Sequence, residues 1–261
     1  MRCLYSILPP ELVIVGFCSG GDSLVTFCFF RPESVTINIV TRRVQYDPTL
    51  TPFVFEGYDT VSSITVQKHE NNVHFVLPPE VGVQGGGLSG RYKATQLHLH
   101  WGIDGQPGSE HRVDGEQYAM ELHIAHEKEQ PKSEEDDNEH AVLAFFIEFL
   151  FLLEGNQTSI DFRLNDIIPA ASDLSGYYRY SGSRTTPSCE QNVVWTVFFR
   201  TIPVSRSQVG ISGLRGHAWT MMTFRPTQRL NGRTVSCSTS ALFVPWTALV
   251  WLSTTPCWDL L

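Results

Sequence analysis

The chain has 261 residues, 42% of them hydrophobic, and a formal charge of −8 at pH 7. That length and apolar content can bury a core, and 16 Phe and 6 Trp argue for a folded rather than a disordered chain. The acidic balance leaves no basic surface to displace counterions from phosphate, which excludes a nucleic-acid binder. No period of roughly 20 to 50 residues repeats, so solenoids and propellers are excluded too.

In chain order, residues 1–31 stand apart. They open Met1-Arg2 and run apolar, but Pro9-Pro10-Glu11 breaks the run before Leu12-Val13-Ile14-Val15. A signal peptide needs a continuous apolar stretch after its basic start, so this divergent segment scores poorly as one and remains a candidate targeting segment. Short, β-branched runs bounded by Pro, Gly or Asn then predict strands at Ile37–Thr41, Ser63–Gln67 and Val73–Leu77. Gly85-Gly86-Gly87 predicts a turn, and Leu97–Trp101, Tyr118–Ala125 and Val193–Arg200 continue the strand pattern. Glu134-Glu135-Asp136-Asp137 reads as a solvated loop. Ala141–Leu153, broken only by Glu148, is too short for a membrane helix and suits a buried strand. The fold class is therefore mainly β (α+β), with few and short helices.

The C-terminal residues 240–261 form an apolar tail. Ala241–Leu252 contains Pro245 and follows the small residues Ser236, Ser238 and Ser240. This resembles the removable tail of a lipid-anchor signal, although the polar spacer is nearly absent and Asp259 lies near the end. A poorly patterned last strand with a loose end accounts for it equally well. The six cysteines, Cys3, Cys18, Cys28, Cys189, Cys237 and Cys257, form no C-x-x-C pair. Their even count and wide spacing fit either one or two disulfides in an oxidising compartment or buried free thiols.

The chemistry concentrates in Gln96-Leu97-His98-Leu99-His100-Trp101-Gly102. Alternation in a strand puts Gln96, His98 and His100 on one face, with imidazoles about 6 to 7 Å apart and able to chelate one ion. In Glu121-Leu122-His123-Ile124-Ala125-His126, Glu121, His123 and Ala125 share a face, while Met120, Leu122 and Ile124 line the apolar one. If the two strands are neighbours, His123 completes a three-histidine site with one position open to water, the pattern of a catalytic zinc. A strand histidine is more often a satisfied core or surface residue, and H-x-H also arises by chance.

The surrounding words carry more. The motifs Gln96–Trp101, Gly108-Ser109-Glu110-His111, Glu121–His126 and Gly182-Ser183-Arg184-Thr185-Thr186-Pro187 together resemble the α-carbonic anhydrases, in order and approximate spacing. Tyr46-Asp47-Pro48, Asp114-Gly115, Val193-Val194-Trp195 and Phe224-Arg225-Pro226 extend the likeness over residues 36–236. The resemblance implies one catalytic domain over 32–239, built around a large, twisted, mostly antiparallel central sheet with short peripheral helices. It implies reversible hydration of CO2 to bicarbonate by a zinc-bound hydroxide, which would make the chain a zinc hydro-lyase. His98, His100 and His123 match the Zn2+ ligands, and Gln96 and Glu121 match the groups that orient them. Thr185 matches the hydroxyl that accepts the nucleophile's proton, and Glu110 its partner. Thr186 matches a position beside bicarbonate, and Val142, Val193, Trp195 and Ala125 match the apolar wall for CO2. Gly85-Gly86-Gly87-Leu88, His126-Glu127-Lys128 and Thr186-Pro187-Ser188-Cys189 look like the secreted or membrane-tethered branch. That likeness implies an extracellular or cell-surface location, a lipid (GPI) tether and no obligate protein partner.

The chain also departs from the family pattern. Asn71 falls where the proton-shuttling histidine is expected and cannot carry a proton, so His69 is the candidate replacement, with His74 the other histidine nearby. Arg184 replaces an apolar residue bordering the pocket, where it could crowd CO2 or swing to solvent. The N-terminal aromatic cluster is absent or degenerate, and the stretches Glu148–Asp166 and Gln208–Phe224 are short. In the extracellular branch the cysteine matching Cys189 pairs with one near the N-terminus; Cys28 or Cys18 could serve, though neither aligns cleanly. Asn156-Gln157-Thr158 fits the N-glycosylation pattern. Two other readings remain open: a catalytically impaired carbonic anhydrase-like binding domain, and an unrelated metal hydrolase, which would need an acidic general base beside its metal.

Overall fold

The computed structural model describes residues 3–6, 14–18, 25–27, 36–61, 64–69, 72–102, 106–129, 138–150, 163–185, 191–205 and 223–240. Near the N-terminus β1 (Cys3–Ser6), β2 (Ile14–Cys18) and β3 (Val25–Phe27) form a small antiparallel sheet. The body of the molecule is one 12-stranded sheet. Its path begins at β5 (Gln45–Tyr46), β18 (Ser236–Cys237), β15 (Tyr177–Gly182) and β16 (Val193–Phe198). It continues through β14 (His140–Leu150), β13 (Met120–Lys128), β10 (Tyr92–Trp101), β8 (Asn72–Val76) and β7 (Thr65–His69). Off this path, β9 (Gly82–Gly85) joins β10 to β6 (Phe53–Glu56), and β17 (Ile202–Ser205) pairs with β14. Only β14 with β16, β14 with β17, and β18 with β5 run parallel, so the sheet is mixed but mostly antiparallel. Helical structure among the described residues is confined to 3-10 turns at Thr41–Arg43, Leu164–Asp166 and Ala171–Asp173. The mainly β expectation holds, with one domain.

Alternation explains how the central strands feed both faces. Leu97, Leu122, Ile124, Leu143, Phe145 and Ile147 enter one buried cluster. Ala144, Phe146, Tyr178, Tyr180, Val193, Trp195 and Val197 enter the other, on the face that also carries the site. Being covered on both sides, β14 and β16 read as continuous apolar runs, as buried strands do. Three expectations need correcting. Ile37–Thr41 yields only β4 (Asn38–Ile39), because the Asp114 carboxylate takes both the N–H and the hydroxyl of Thr41 and starts a 3-10 turn. The strand expected from Val193 stops at Phe198, and that from Tyr118 begins at Met120 and reaches Lys128.

Two turns matter for position. The run Gly85-Gly86-Gly87 has positive φ throughout, and a Cβ on Gly86 would run into the Phe53 ring. Between β11 (Arg112–Val113) and β12 (Glu116–Gln117), Asp114 and Gly115 both have positive φ, at 50° and 89°, the conformation that Asp-Gly hairpins favour. β11 also pairs in parallel with β4. Thr36 Oγ1 donates to Glu110 O at 2.9 Å, so this hairpin and β4 pin the segment that delivers Glu110 and His111.

On the other face His126 is fully buried, with Nε2 3.0 Å from the Tyr58 hydroxyl and Nδ1 3.3 Å from Ala141 O. Burial lowers its pKa to about 4. Below pH ~6.5 the unfolded chain takes up a proton that the native imidazole refuses. Stability from this residue is thus complete above pH ~6.5 and is lost as the pH falls toward about 4, by about 3 kcal/mol in all. Urea midpoints should drop between pH 7.5 and 5 less in His126→Gln than in the parent; equal drops would refute the assignment.

Candidate metal centre and active site

The antiparallel register of β10 and β13 sets His98 opposite His123, His100 opposite Glu121, and Gln96 opposite Ala125. The three histidines therefore rise from one face of two adjacent strands. They are 8%, 4% and 0% exposed for His98, His100 and His123. Ring centroids lie 4.9 Å apart for His98 and His100, 5.2 Å for His98 and His123, and 4.6 Å for His100 and His123. One ligand atom from each falls within 4.8 Å of the others.

Which nitrogen each ring offers follows from its other partner. His98 Nδ1 meets Gln96 Oε1 at 2.9 Å, His100 Nδ1 meets Thr223 O at 2.8 Å, and His123 Nε2 meets Glu121 Oε1 at 2.8 Å. Those oxygens can only accept, so each of these nitrogens carries the proton. Lone pairs are left on His98 Nε2, His100 Nε2 and His123 Nδ1. The last two stand 3.1 Å apart, where facing lone pairs repel unless a cation sits between them. Tetrahedral zinc with bonds of about 2.05 Å separates neighbouring ligand nitrogens by ~3.3 Å, so the donor set fits such an ion. Burial, reinforced by the neighbouring imidazoles, holds His98 well below its ordinary pKa. Burial also lowers that of His123, against the opposite pull of Glu121. Both rings are neutral near pH 7, as ligands must be.

Glu121 is the hub behind the ligands. Its Oε2 accepts the backbone N–H groups of Glu110 and His111, both at 2.8 Å, and its Oε1 accepts from His111 Nδ1 at 2.6 Å as well as from His123. Burial pushes this carboxyl upward, but His111 and His123 more than offset it and hold it well below its usual range. Because His111 Nδ1 donates to Glu121, its Nε2 accepts from the Tyr180 hydroxyl at 2.6 Å. The second possible donor group, His111, Glu121 and His123, is thus already joined by hydrogen bonds.

Glu110 is 3% exposed, and its Oε1 accepts from Arg225 N at 3.3 Å. Its Oε2 is buried, has no hydrogen-bond partner among the described residues and lies 3.5 Å from His100 Nε2. Thr185 is half-buried three residues past the end of β15. Register continues the site across the sheet, setting Ala125 opposite Val142 and Val142 opposite Trp195. Ala125 and Val142 are half-buried, and Val193 and Trp195 are 1% exposed. The Trp195 ring lies 5.0 Å from His123 and 5.1 Å from His111, and its Nε1 donates to Ser183 O at 3.0 Å.

Arg184 is exposed, the solvent-facing of the two arrangements expected for it. His69 ends β7, and its side chain lies outside the described residues, as do Asn71, Thr186 and the sequon at Asn156. His74 is half-buried on β8 with its ring 5.2 Å from that of His98. Of the cysteines, Cys237 is a half-buried free thiol donating to Thr239 O. The pairing expected for Cys189 falls outside the described residues. Sequence reading gave no role to His111, Tyr180 or Thr223. His111 stands beside Glu110 in a quoted motif, but nothing local signals the others.

Three imidazoles converging on one face of a large β-sheet, with a carboxylate hub behind them and an apolar row beside them, form a candidate metal centre. The chain belongs to the carbonic anhydrase family: the family model for eukaryotic-type carbonic anhydrase matches residues 35–239. It is 40% identical over 213 residues to carbonic anhydrase 4 of Oryctolagus cuniculus, covering 74% of this chain and 69% of that protein. It is 37% identical over 212 residues to carbonic anhydrase 4 of Rattus norvegicus, covering 73% and 68%. Carbonic anhydrase 15 of Mus musculus is 37% identical over 250 residues, covering 80% and 76%.

Proposed function

We propose that this chain catalyses the reversible hydration of CO2 to bicarbonate and a proton, with Zn2+ held by His98, His100 and His123. The observation that carries the reading is the convergence of three imidazole nitrogens whose opposite nitrogens are all tied to acceptors. When bound, zinc acidifies a coordinated water toward a pKa of about 7, a property for which carbonic anhydrase is itself the reference case. Gln96, Glu121 and the Thr223 carbonyl fix ring angle and tautomer. Glu110 offers Oε2 to the Thr185 hydroxyl, an assignment supported by that oxygen's want of a hydrogen-bond partner. A hydroxyl that donates to Glu110 has only lone pairs left, so it accepts from the attacking oxygen and turns a lone pair of that oxygen toward carbon. Ala125, Val142, Val193 and Trp195 give uncharged CO2 an apolar rest, and Thr186 is assigned beside bicarbonate by resemblance alone. Proton export falls to His69 or His74, and the half-buried ring of His74 beside His98 supports the latter. Residues 32–239 are the catalytic domain, 1–31 a targeting segment and 240–261 an anchor signal, which together place the enzyme at the cell surface. Those boundaries and that location rest on sequence pattern.

Thr185→Ala tests the mechanism. Losing the hydroxyl that orients the nucleophile should lower kcat/KM for CO2 by roughly 10²-fold while zinc content stays at one per chain. Turnover unchanged at full zinc occupancy would refute the assignment.

A further inference from the structure

We infer that Arg184 selects for anions at the mouth of this site and strengthens its hold on bicarbonate. The inference rests on the function proposed above and concerns how the site treats the two sides of that reaction.

Register places the residue. His123 pairs with Ala144, Ala125 with Val142, and Val142 with Trp195. Farther along the same face His140 pairs with Val193, and Val193 with Gly182, the last residue of β15. The chain then leaves the sheet as Ser183, Arg184 and Thr185. Trp195 bridges from the metal ligands to that exit, with its ring 5.0 Å from His123 and its Nε1 on Ser183 O at 3.0 Å. Ser183 is 1% exposed and its Oγ donates to Arg184 O at 3.0 Å, so the backbone is held while the Arg184 residue is exposed. An exposed residue on a tied backbone thus stands two residues past the end of β15, immediately before Thr185.

Chemistry supplies the consequence. A guanidinium stays charged at every physiological pH. CO2 carries no charge and bicarbonate carries one, so this cation acts on only one side of the reaction. It cannot alter the overall equilibrium, and the ratio of kcat/KM in the two directions stays fixed. What it changes is the dissociation constant of bicarbonate, and with it the KM for dehydration and product inhibition of hydration.

The test compares wild type, Arg184→Leu and Arg184→Lys, titrating each zinc-loaded protein with bicarbonate by calorimetry and measuring bicarbonate inhibition of CO2 hydration. Arg184→Leu should bind bicarbonate roughly three- to tenfold more weakly, and Arg184→Lys should recover most of the loss. Added salt near 0.5 M should narrow the gap, since an exposed charge is screened. Equal affinities in wild type and Arg184→Leu would overturn the inference. Zinc content and turnover of the wild type, measured on the same preparation, decide the functional reading separately.

Discussion

His123→Ala should lose zinc and, with it, CO2 hydration. Metal binding at four-ligand protein sites is worth about 10–16 kcal/mol, so one ligand of four carries about 3 kcal/mol, or at least ~10²-fold in affinity. The loss goes further here, because His123 supplies the nitrogen 3.1 Å from His100 Nε2, and without it the remaining pair no longer encloses the ion. Zinc titration against a chromogenic chelator reads affinity, and stopped flow reads turnover. The fold should survive, since Glu121 keeps its bonds to His111 and to two backbone N–H groups. Zinc bound as tightly in His123→Ala as in wild type would show that the ion is held elsewhere.

The largest loss of stability is expected from Glu121→Ala. That carboxylate is fully buried and accepts four hydrogen bonds, from the Glu110 and His111 backbones and from the His111 and His123 rings. Its removal strands all four donors without water, at a cost of roughly 3–5 kcal/mol. Glu121→Gln tests the chemistry more gently. Its amide keeps the volume and one acceptor; with that oxygen on the two backbone N–H groups, its NH2 faces both imidazole donors that Oε1 now serves. That variant should fold yet bind zinc ~10–100-fold more weakly, because the ligand ring loses its fixed tautomer. Thermal unfolding with and without added zinc separates the two effects. A Glu121→Ala protein as stable as its parent would contradict the hub described above.

These cases also show what the sequence made legible. The period of two in Gln96–His100 and Glu121–Ala125 was enough to place the ligands on one face, because β10 and β13 pair directly and set His98 opposite His123. The apolar run of β14 was legible for a different reason: both of its faces are covered, so it is apolar without alternation. Thr223 was not: it reaches His100 across 123 residues, and a backbone carbonyl leaves no signature in side-chain pattern. Tyr180 was missed because β15 buries Tyr177, Tyr178 and Tyr180 on both faces and shows no polar alternation. The two-residue strands β4, β5, β11, β12 and β18 are shorter than any period can reveal, and exist because long-range pairing holds them. Arg184 was visible as a departure, but only the structure showed that it is exposed two residues past the end of β15.

The central claim is that three histidines hold a zinc ion on which CO2 hydration depends. Stopped-flow CO2 hydration by the purified protein, with zinc stripped and then restored in one series, tests it most directly. The account predicts that turnover disappears with the metal and returns at one zinc per chain. A folded protein that takes up one zinc and still fails to hydrate CO2, or that turns over equally well without metal, would contradict it.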